Sequence, residues 1–362
     1  MATTQPIGQP AGATPAERTP VGAAPAQHAL AAARAVPGRD RLLTILLAAA
    51  AIGAVLQITM GGVVRVTGSG LGCPDWPLCQ GSIVPVFRDY HTALEWSHRL
   101  TGTLVGLTFA AATARAWFAK PRDGTVLRAV AATLALIAVV GAMGGAVVLT
   151  ELSPGLRTFH LALAEGVVLL AAFAWAASAY QPRQGVDAAR SREFRLAAVA
   201  GVSVLAALLS GSYAVWRGAG AACPSWPLCG GPVVPENALT WIHVAHRLLA
   251  AASVVLVLWA AHRAYRTKDG PRALKWAALG ALALVTAQAL IGAANPWSGF
   301  DQWARALHLS VGSLLWLDLA VVAVLVLRPV PRAGKTGAPP GALREPFDRL
   351  RTTPQDGAGV AQ

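Results

Sequence analysis

The chain is short of charge and of cysteine, and both shortages are informative. Charged residues make up 13% of its 362 residues, against 55% hydrophobic, where a soluble domain carries about one quarter charged. The deficit is uneven. Leu42 to Val64, Ala129 to Thr150, Leu196 to Trp216 and Trp276 to Phe300 contain no charged residue at all. Such runs exclude an ordinary soluble domain, because each is long enough to cross a hydrocarbon core of about 30 Å as a helix of roughly 20 residues. No apolar core precedes Leu42, which excludes a cleavable signal peptide. No basic face on a soluble domain is visible, so the net charge of +13 is not a nucleic-acid footprint.

What is present is arranged along the same lines. Four further apolar stretches carry a few ionisable groups near one end: about Ala93 to Trp117, Thr158 to Tyr180, Thr240 to Ala261 and Ala304 to Leu327. With no water to satisfy exposed backbone groups in a bilayer, runs of this kind read as helices. The expected fold class is therefore all-α integral membrane, with eight transmembrane helices. Basic residues concentrate before the first helix and in alternate connections, for example Arg183, Arg190, Arg192 and Arg195. The excess of Lys and Arg on the inner side places both termini in the cytoplasm and the other connections outside, in a bacterial cytoplasmic membrane. Residues 1–40 and 329–362 are rich in Ala, Pro, Thr and Gly without periodicity, and are expected to be disordered tails.

The four cysteines fall in two matched loops. Cys73-Pro-Asp-Trp-Pro-Leu-Cys79 recurs 150 residues later as Cys223-Pro-Ser-Trp-Pro-Leu-Cys229. Two histidine pairs follow suit: His98 matches His246 and His160 matches His308, both at an offset of 148. Four crossings return the chain to its starting side, so the halves form a parallel repeat. The expected domains are a four-helix bundle over 41–182 and a second over 193–328. On an oxidising face each cysteine loop is suited to a disulfide, Cys73 with Cys79 and Cys223 with Cys229. Free thiols and a zinc site built from all four remain alternatives, the latter at a wider spacing than zinc pairs use.

Ionisable residues inside membrane helices mark functional sites by default. His98 and His160 open the second and fourth helices, and His246 and His308 the sixth and eighth. Each half thus offers two imidazoles from two different helices at similar depth, as axial ligation of a flat macrocycle requires, and haem iron is commonly held by histidine. Proton relay and a non-haem metal are the other readings. Arg99, Arg157, Arg247 and Arg305 lie beside these histidines, either snorkelling to headgroups or pairing with haem propionates. Glu95 precedes His98 by three residues and shares its helix face, but its counterpart is His243. A carboxylate in one half only points to proton handling or charge stabilisation there, against a simple ion pair with a neighbouring arginine. His243 reads as a hydrogen-bonding residue or a spare ligand. Glu165 has no orientation from sequence, and Asp318 reads as a polar packing residue.

Together, Glu95-Trp-Ser-His98-Arg99, the four histidines on even-numbered helices and the paired Cys-Pro-x-Trp-Pro-Leu-Cys loops resemble the haem A synthase family over about Leu42 to Leu327. The resemblance implies an oxidoreductase that converts haem O to haem A for terminal cytochrome oxidases. It implies substrate haem near His98, His160 and Glu95 in the first half, and a haem b cofactor between His246 and His308 in the second. The implied partners are haem O, a haem O synthase, an electron donor of quinol or ferredoxin-like type, the lipid bilayer and a second copy of the chain. Two other functions compete: a di-haem b-type electron-transfer protein, and a transporter built on parallel repeats. The clustering of ionisable groups near one membrane face argues against the transporter.

Overall fold

A computed structural model describes Met1 and residues 39–120, 122–181, 188–231, 234–268, 270–327 and 330–331. The expected tails therefore lie outside the described residues apart from Met1, Arg39, Asp40, Val330 and Pro331. Eight long helices follow in order: α1 (Arg41–Val66), α2 (Tyr90–Phe118), α3 (Gly124–Leu149), α4 (Pro154–Ala179), α5 (Ala188–Trp216), α6 (Ala238–Tyr265), α7 (Arg272–Trp297) and α8 (Gln302–Leu327). A two-residue antiparallel pair joins β1 (Tyr180–Gln181) to β2 (Val330–Pro331). Among the described residues, seven of the helices are long and apolar enough to cross a membrane. The exception is α2, which contains Glu95, Arg99, Arg115 and several threonines.

The helices begin earlier than the charge-free runs suggest, because their first turns carry charge. α5 starts at Ala188 rather than Leu196, and α7 at Arg272 rather than Trp276. Polar caps set several starts. The side chains of Asp40, Asp89 and Asn237 accept from Leu43 N, Thr92 N and Thr240 N at 3.1, 2.8 and 2.9 Å, satisfying amides that the helix leaves orphaned. Asp89 and Asn237 are 148 residues apart, so the repeat extends to the cap. At the far ends of α1 and α5, Gly68 (φ 70°) and Gly218 (φ 77°) turn the chain out in the left-handed region. There Ser69 N reaches back to Val64 O and Ala219 N to Ala214 O, a closure that favours glycine.

Helix neighbours form two four-membered rings. α1 to α4 pack in sequence and α1 closes on α4, while α5 to α8 do the same and α5 closes on α8. Between the rings, α8 packs on α1 and α4, and α4 packs on α5. The spans of α1, α4 and α8 are 44–56% buried, against 17–28% for α3, α5, α6 and α7, so these three make the seam. Alanine dominates the seam, with Ala50, Ala51, Ala54, Ala171, Ala172 and Ala320 all buried. Small side chains let helix backbones approach closely where lipid supplies no hydrophobic drive. Polar contacts also cross between the halves, among them one between Thr158 and Ser212 hydroxyls at 3.0 Å and a pair on Glu165. Ser313 Oγ donates to Glu165 Oε1 at 2.6 Å, and Trp316 Nε1 donates to Glu165 O at 2.9 Å. Glu165 and Ser313 are themselves 148 residues apart, so equivalent positions of the two repeats meet one another.

Candidate functional site

Each of the four repeated histidines rests against a glycine on the preceding helix. A Cβ built on Gly61 (α1) would lie 2.9 Å from His98 Cε1. The same construction on Gly144 (α3), Gly211 (α5) and Gly292 (α7) would lie 3.3, 3.0 and 3.2 Å from Cε1 of His160, His246 and His308. Any side chain at these positions would push the ring away, so the glycines set how far each imidazole is drawn toward its neighbouring helix. Sequence reasoning missed them, although they carry the same signature as the histidines: Gly61 and Gly211 are 150 apart, Gly144 and Gly292 are 148 apart.

The rings differ in what holds them. Ser210 Oγ lies 2.9 Å from His246 Nδ1 and donates its own proton to Ala207 O at 2.8 Å. The hydroxyl is therefore an acceptor toward the ring, which puts the imidazole proton on Nδ1 and leaves the Nε2 lone pair free, as a metal ligand requires. His98 meets a different group. Gln57 Nε2 donates to His98 O at 2.8 Å and lies 3.0 Å from His98 Nδ1, and Thr101 donates to Gln57 Oε1. Because the carbonyl only accepts, the amide nitrogen must face His98, and the Nδ1 it meets is an acceptor. Nδ1 of His160 and of His308 is buried without a hydrogen-bond partner among the described residues. Gln288 Nε2 donates to His308 O at 3.0 Å.

The rings of the second pair face each other across a short gap. The His246 and His308 rings stand 6.4 Å apart between centroids at an interplanar angle of 85°. With nitrogen–metal distances of about 2 Å, imidazoles on opposite faces of one ion have centroids about 6 Å apart, so these residues fit a six-coordinate haem iron. His98 and His160 are set in matching glycine notches, which fits a second macrocycle, but among the described residues they make no ring contact with each other. His243 lies 6.5 Å from the His246 ring, and its Nδ1 sits 3.0 Å from Ala219 O. Its backbone bond makes it a positioned neighbour of His246.

The cysteine loops are disulfide-closed, Cys73 to Cys79 and Cys223 to Cys229. Each is clamped by the arginine that follows a site histidine. Arg99 donates to the carbonyls of Asp75, Leu78 and Cys73 at 2.7, 2.6 and 2.7 Å. Arg247 donates to those of Pro227, Leu228 and Cys223 at 3.1, 2.9 and 3.1 Å. The guanidinium groups of Arg99 and Arg247 thus hold loops, which sequence did not anticipate. Arg99 also bonds Glu95 Oε1 through Nε at 3.1 Å, and Glu95 is only 5% exposed. The arginine pairing weighed from sequence is therefore present, but on a buried carboxylate three residues from His98. Outside the spans, Asp75 accepts from Gln80 N and Gly81 N at 2.6 and 2.7 Å. These bonds, chiefly that from Gly81, hold its carboxyl below the ordinary 3.8.

Fold and site define a class: a multi-pass helical membrane protein built on an internal repeat, with a pair of glycine-backed histidines in each half. Residues 44–320 match the family model COX15-CtaA, described as cytochrome oxidase assembly protein, and the chain belongs to that family. Among curated relatives, it is 30% identical to "Heme A synthase" of Symbiobacterium thermophilum over 290 residues, covering 77% of this chain and 93% of that one. It is 28% identical to the protein of the same name from Alkalihalophilus pseudofirmus over 292 residues, covering 77% and 95%. A Methylobacterium relative, also "Heme A synthase", is 29% identical over 319 residues, covering 74% and 87%.

Proposed function

We propose that this chain is a haem A synthase, an oxidoreductase that converts a ring methyl of haem O to a formyl group. Family membership and several relatives of that name support the reading, and the observation that carries it is the repeated glycine–histidine set with Glu95 in one half only. Methyl becomes alcohol, alcohol becomes a gem-diol, and loss of one water leaves the aldehyde. Each hydroxylation removes two electrons from carbon and adds one oxygen atom, which side-chain acid–base chemistry cannot do. It would need a redox cofactor and an oxidant such as dioxygen, which with two further electrons and two protons from a donor leaves one water for each hydroxylation. An electron donor of quinol or ferredoxin-like type completes the set of partners.

In the finer reading the eight helices all cross the bilayer as two four-helix bundles, with both termini inside and both cysteine loops outside. Two closed rings of neighbouring helices support the bundles. The first half takes haem O at His98 and His160. The second holds a haem b between His246 and His308, which would supply one-electron chemistry when bound. The hydrogen bonding supports this division. Ser210 presets His246 as a permanent ligand, whereas the Gln57 amide contests the His98 ring, as suits a site whose occupant enters and leaves. Glu95 Oε1 is pinned by Arg99, so the carboxylate is fixed in orientation beside His98, placed to accept a proton released from substrate. Arg157 and Arg305, one turn before His160 and His308, would pair with the haem propionates. The competing reading, a di-haem electron carrier, leaves Glu95 without a task.

The test is haem extraction from cells that make haem O, with and without this protein. Haem A or its hydroxylated precursor should appear only with the protein. Haem O unchanged beside intact, membrane-inserted protein would exclude the synthase.

A further inference from the structure

The seam between the halves ends in three arginines with no acid to answer them. Arg65 lies in the last turn of α1, while Arg157 and Arg305 lie in the first turns of α4 and α8, at the cysteine-loop end. Close packing fixes their level. One turn before Arg65, a Cβ on Gly62 would lie 3.0 Å from Leu309 Cδ2, one turn after Arg305. Past the end of α1, a Cβ on Gly70 would lie 3.0 Å from Leu152 Cδ2, just before α4. These antiparallel registers bring Arg65 level with both Arg157 and Arg305, near enough for the charges to act on one another. Nε of Arg65 and of Arg305 is buried without a hydrogen-bond partner, and none of the three guanidinium groups has an ion pair among the described residues.

Three like charges at the half-buried end of the seam repel, and leaving the buried Nε donors of two of them unsatisfied is costly. An anion is the missing component. Arg157 and Arg305 are repeat equivalents, 148 apart, but the position 150 beyond Arg65 is Val215. Separate and equivalent sites in each half would need a second cation each at this position, and only the first half has one, Arg65. Arg157 also precedes His160 by three residues, and Arg305 precedes His308 by three, so each lies one helical turn from a site histidine.

We propose that Arg65, Arg157 and Arg305 form one anion-binding site shared by both histidine sites, which takes carboxylate side chains from the two porphyrins and so ties their occupancy together. This rests on the haem reading above. Arg65 is a positioning and binding residue common to both halves, and the fork geometry of its guanidinium suits paired recognition of carboxylates.

The experiment titrates the purified full-length protein with protohaem and with its dimethyl ester, whose carboxylates are blocked, following the Soret band. Two backgrounds isolate the sites: His246→Ala/His308→Ala for the first, His98→Ala/His160→Ala for the second. Protohaem should bind at least tenfold tighter than the ester in both. Arg65→Leu should weaken protohaem at least tenfold in both backgrounds and leave ester affinity within twofold, which also shows that the fold persists; Arg65→Lys should recover part of the loss. The proposal is overturned if Arg65→Leu affects only one background, or weakens acid and ester alike. It is equally overturned if Arg65→Leu lowers co-purifying anionic phospholipid while protohaem affinity stays unchanged, which would make this a headgroup site. Failure of the wild type to bind either porphyrin would remove the haem reading itself, and the proposal with it.

Discussion

In the first half, Arg99 holds three carbonyls of its cysteine loop and, through Nε, the carboxylate of Glu95. In the second, Arg247 holds three carbonyls of its loop with His243 in the place of the acid. The tryptophans of the loops diverge as well. Trp76 lies over Gly145, where a Cβ would come within 2.6 Å of its ring. The position equivalent to Gly145 is Ala293, and Trp226 instead packs edge-on against Trp297 at 5.6 Å. A shared scaffold of glycine, histidine, clamp and disulfide has thus been kept in both halves, while the groups touching the first histidine of each have changed. Under the proposed function, what is common would hold a macrocycle and what differs would mark where the chemistry belongs.

The largest expected effect tests that division directly. Glu95→Gln keeps the side-chain shape and removes the charge. It should lower haem A formation by roughly 10²–10⁴-fold, the usual weight of a general acid or base, yet leave the low-spin haem spectrum of the second half intact. His308→Ala should abolish that spectrum. Loss of the spectrum in the Glu95→Gln protein would break the comparison.

A smaller effect separates the halves through their notches. A methyl added at Gly211 collides with His246, and one at Gly61 with His98, with overpacking costs of about 1–3 kcal/mol. Gly211→Ala should therefore weaken retention of the second-half haem, whereas Gly61→Ala should spare it and weaken substrate haem. Protohaem titrations of the two purified variants check this, and equal losses at both sites in either variant would contradict it.

The smallest effect concerns the loops and pH. Asp75 is held below its ordinary 3.8 by backbone amides, so it strengthens the first loop above that pH and ceases to do so as the pH falls through its lowered value. The second loop has Ser225 there, bonded to Leu228 O. Reduction of Cys73–Cys79 by a phosphine should accelerate by a few-fold in strong acid, with Cys223–Cys229 unchanged. Mass spectrometry of alkylated peptides reads both rates, and parallel rates would show that Asp75 does not govern its loop.

The helices were legible in the sequence because a charge-free run of twenty residues has few other uses, and the offsets of 150 and 148 aligned cysteines and histidines. Direction was not legible. Arg99 and Arg247 looked equally suited to headgroups or propionates, and their loop carbonyls went unseen, since a long flexible side chain announces its charge but not its target. Gly61, Gly144, Gly211 and Gly292 were hidden because glycine is common in membrane helices, and only the histidine opposite gives each one meaning. Gln57 and Gln288 escaped for another reason: they sit at non-equivalent places in the two halves, so the repeat conceals them.

Glu165 and Ser313 bear on the origin of such a chain. In a symmetric dimer of half-length subunits, a residue on the two-fold axis meets its own copy. Glutamate would face glutamate there, or serine would face serine. The 2.6 Å contact between a carboxyl and a hydroxyl is closed to a dimer of identical subunits and open to a fused polypeptide whose two copies have mutated independently. Covalent joining gave the ancestor more than a fixed stoichiometry, because it allowed a mutation to occur once.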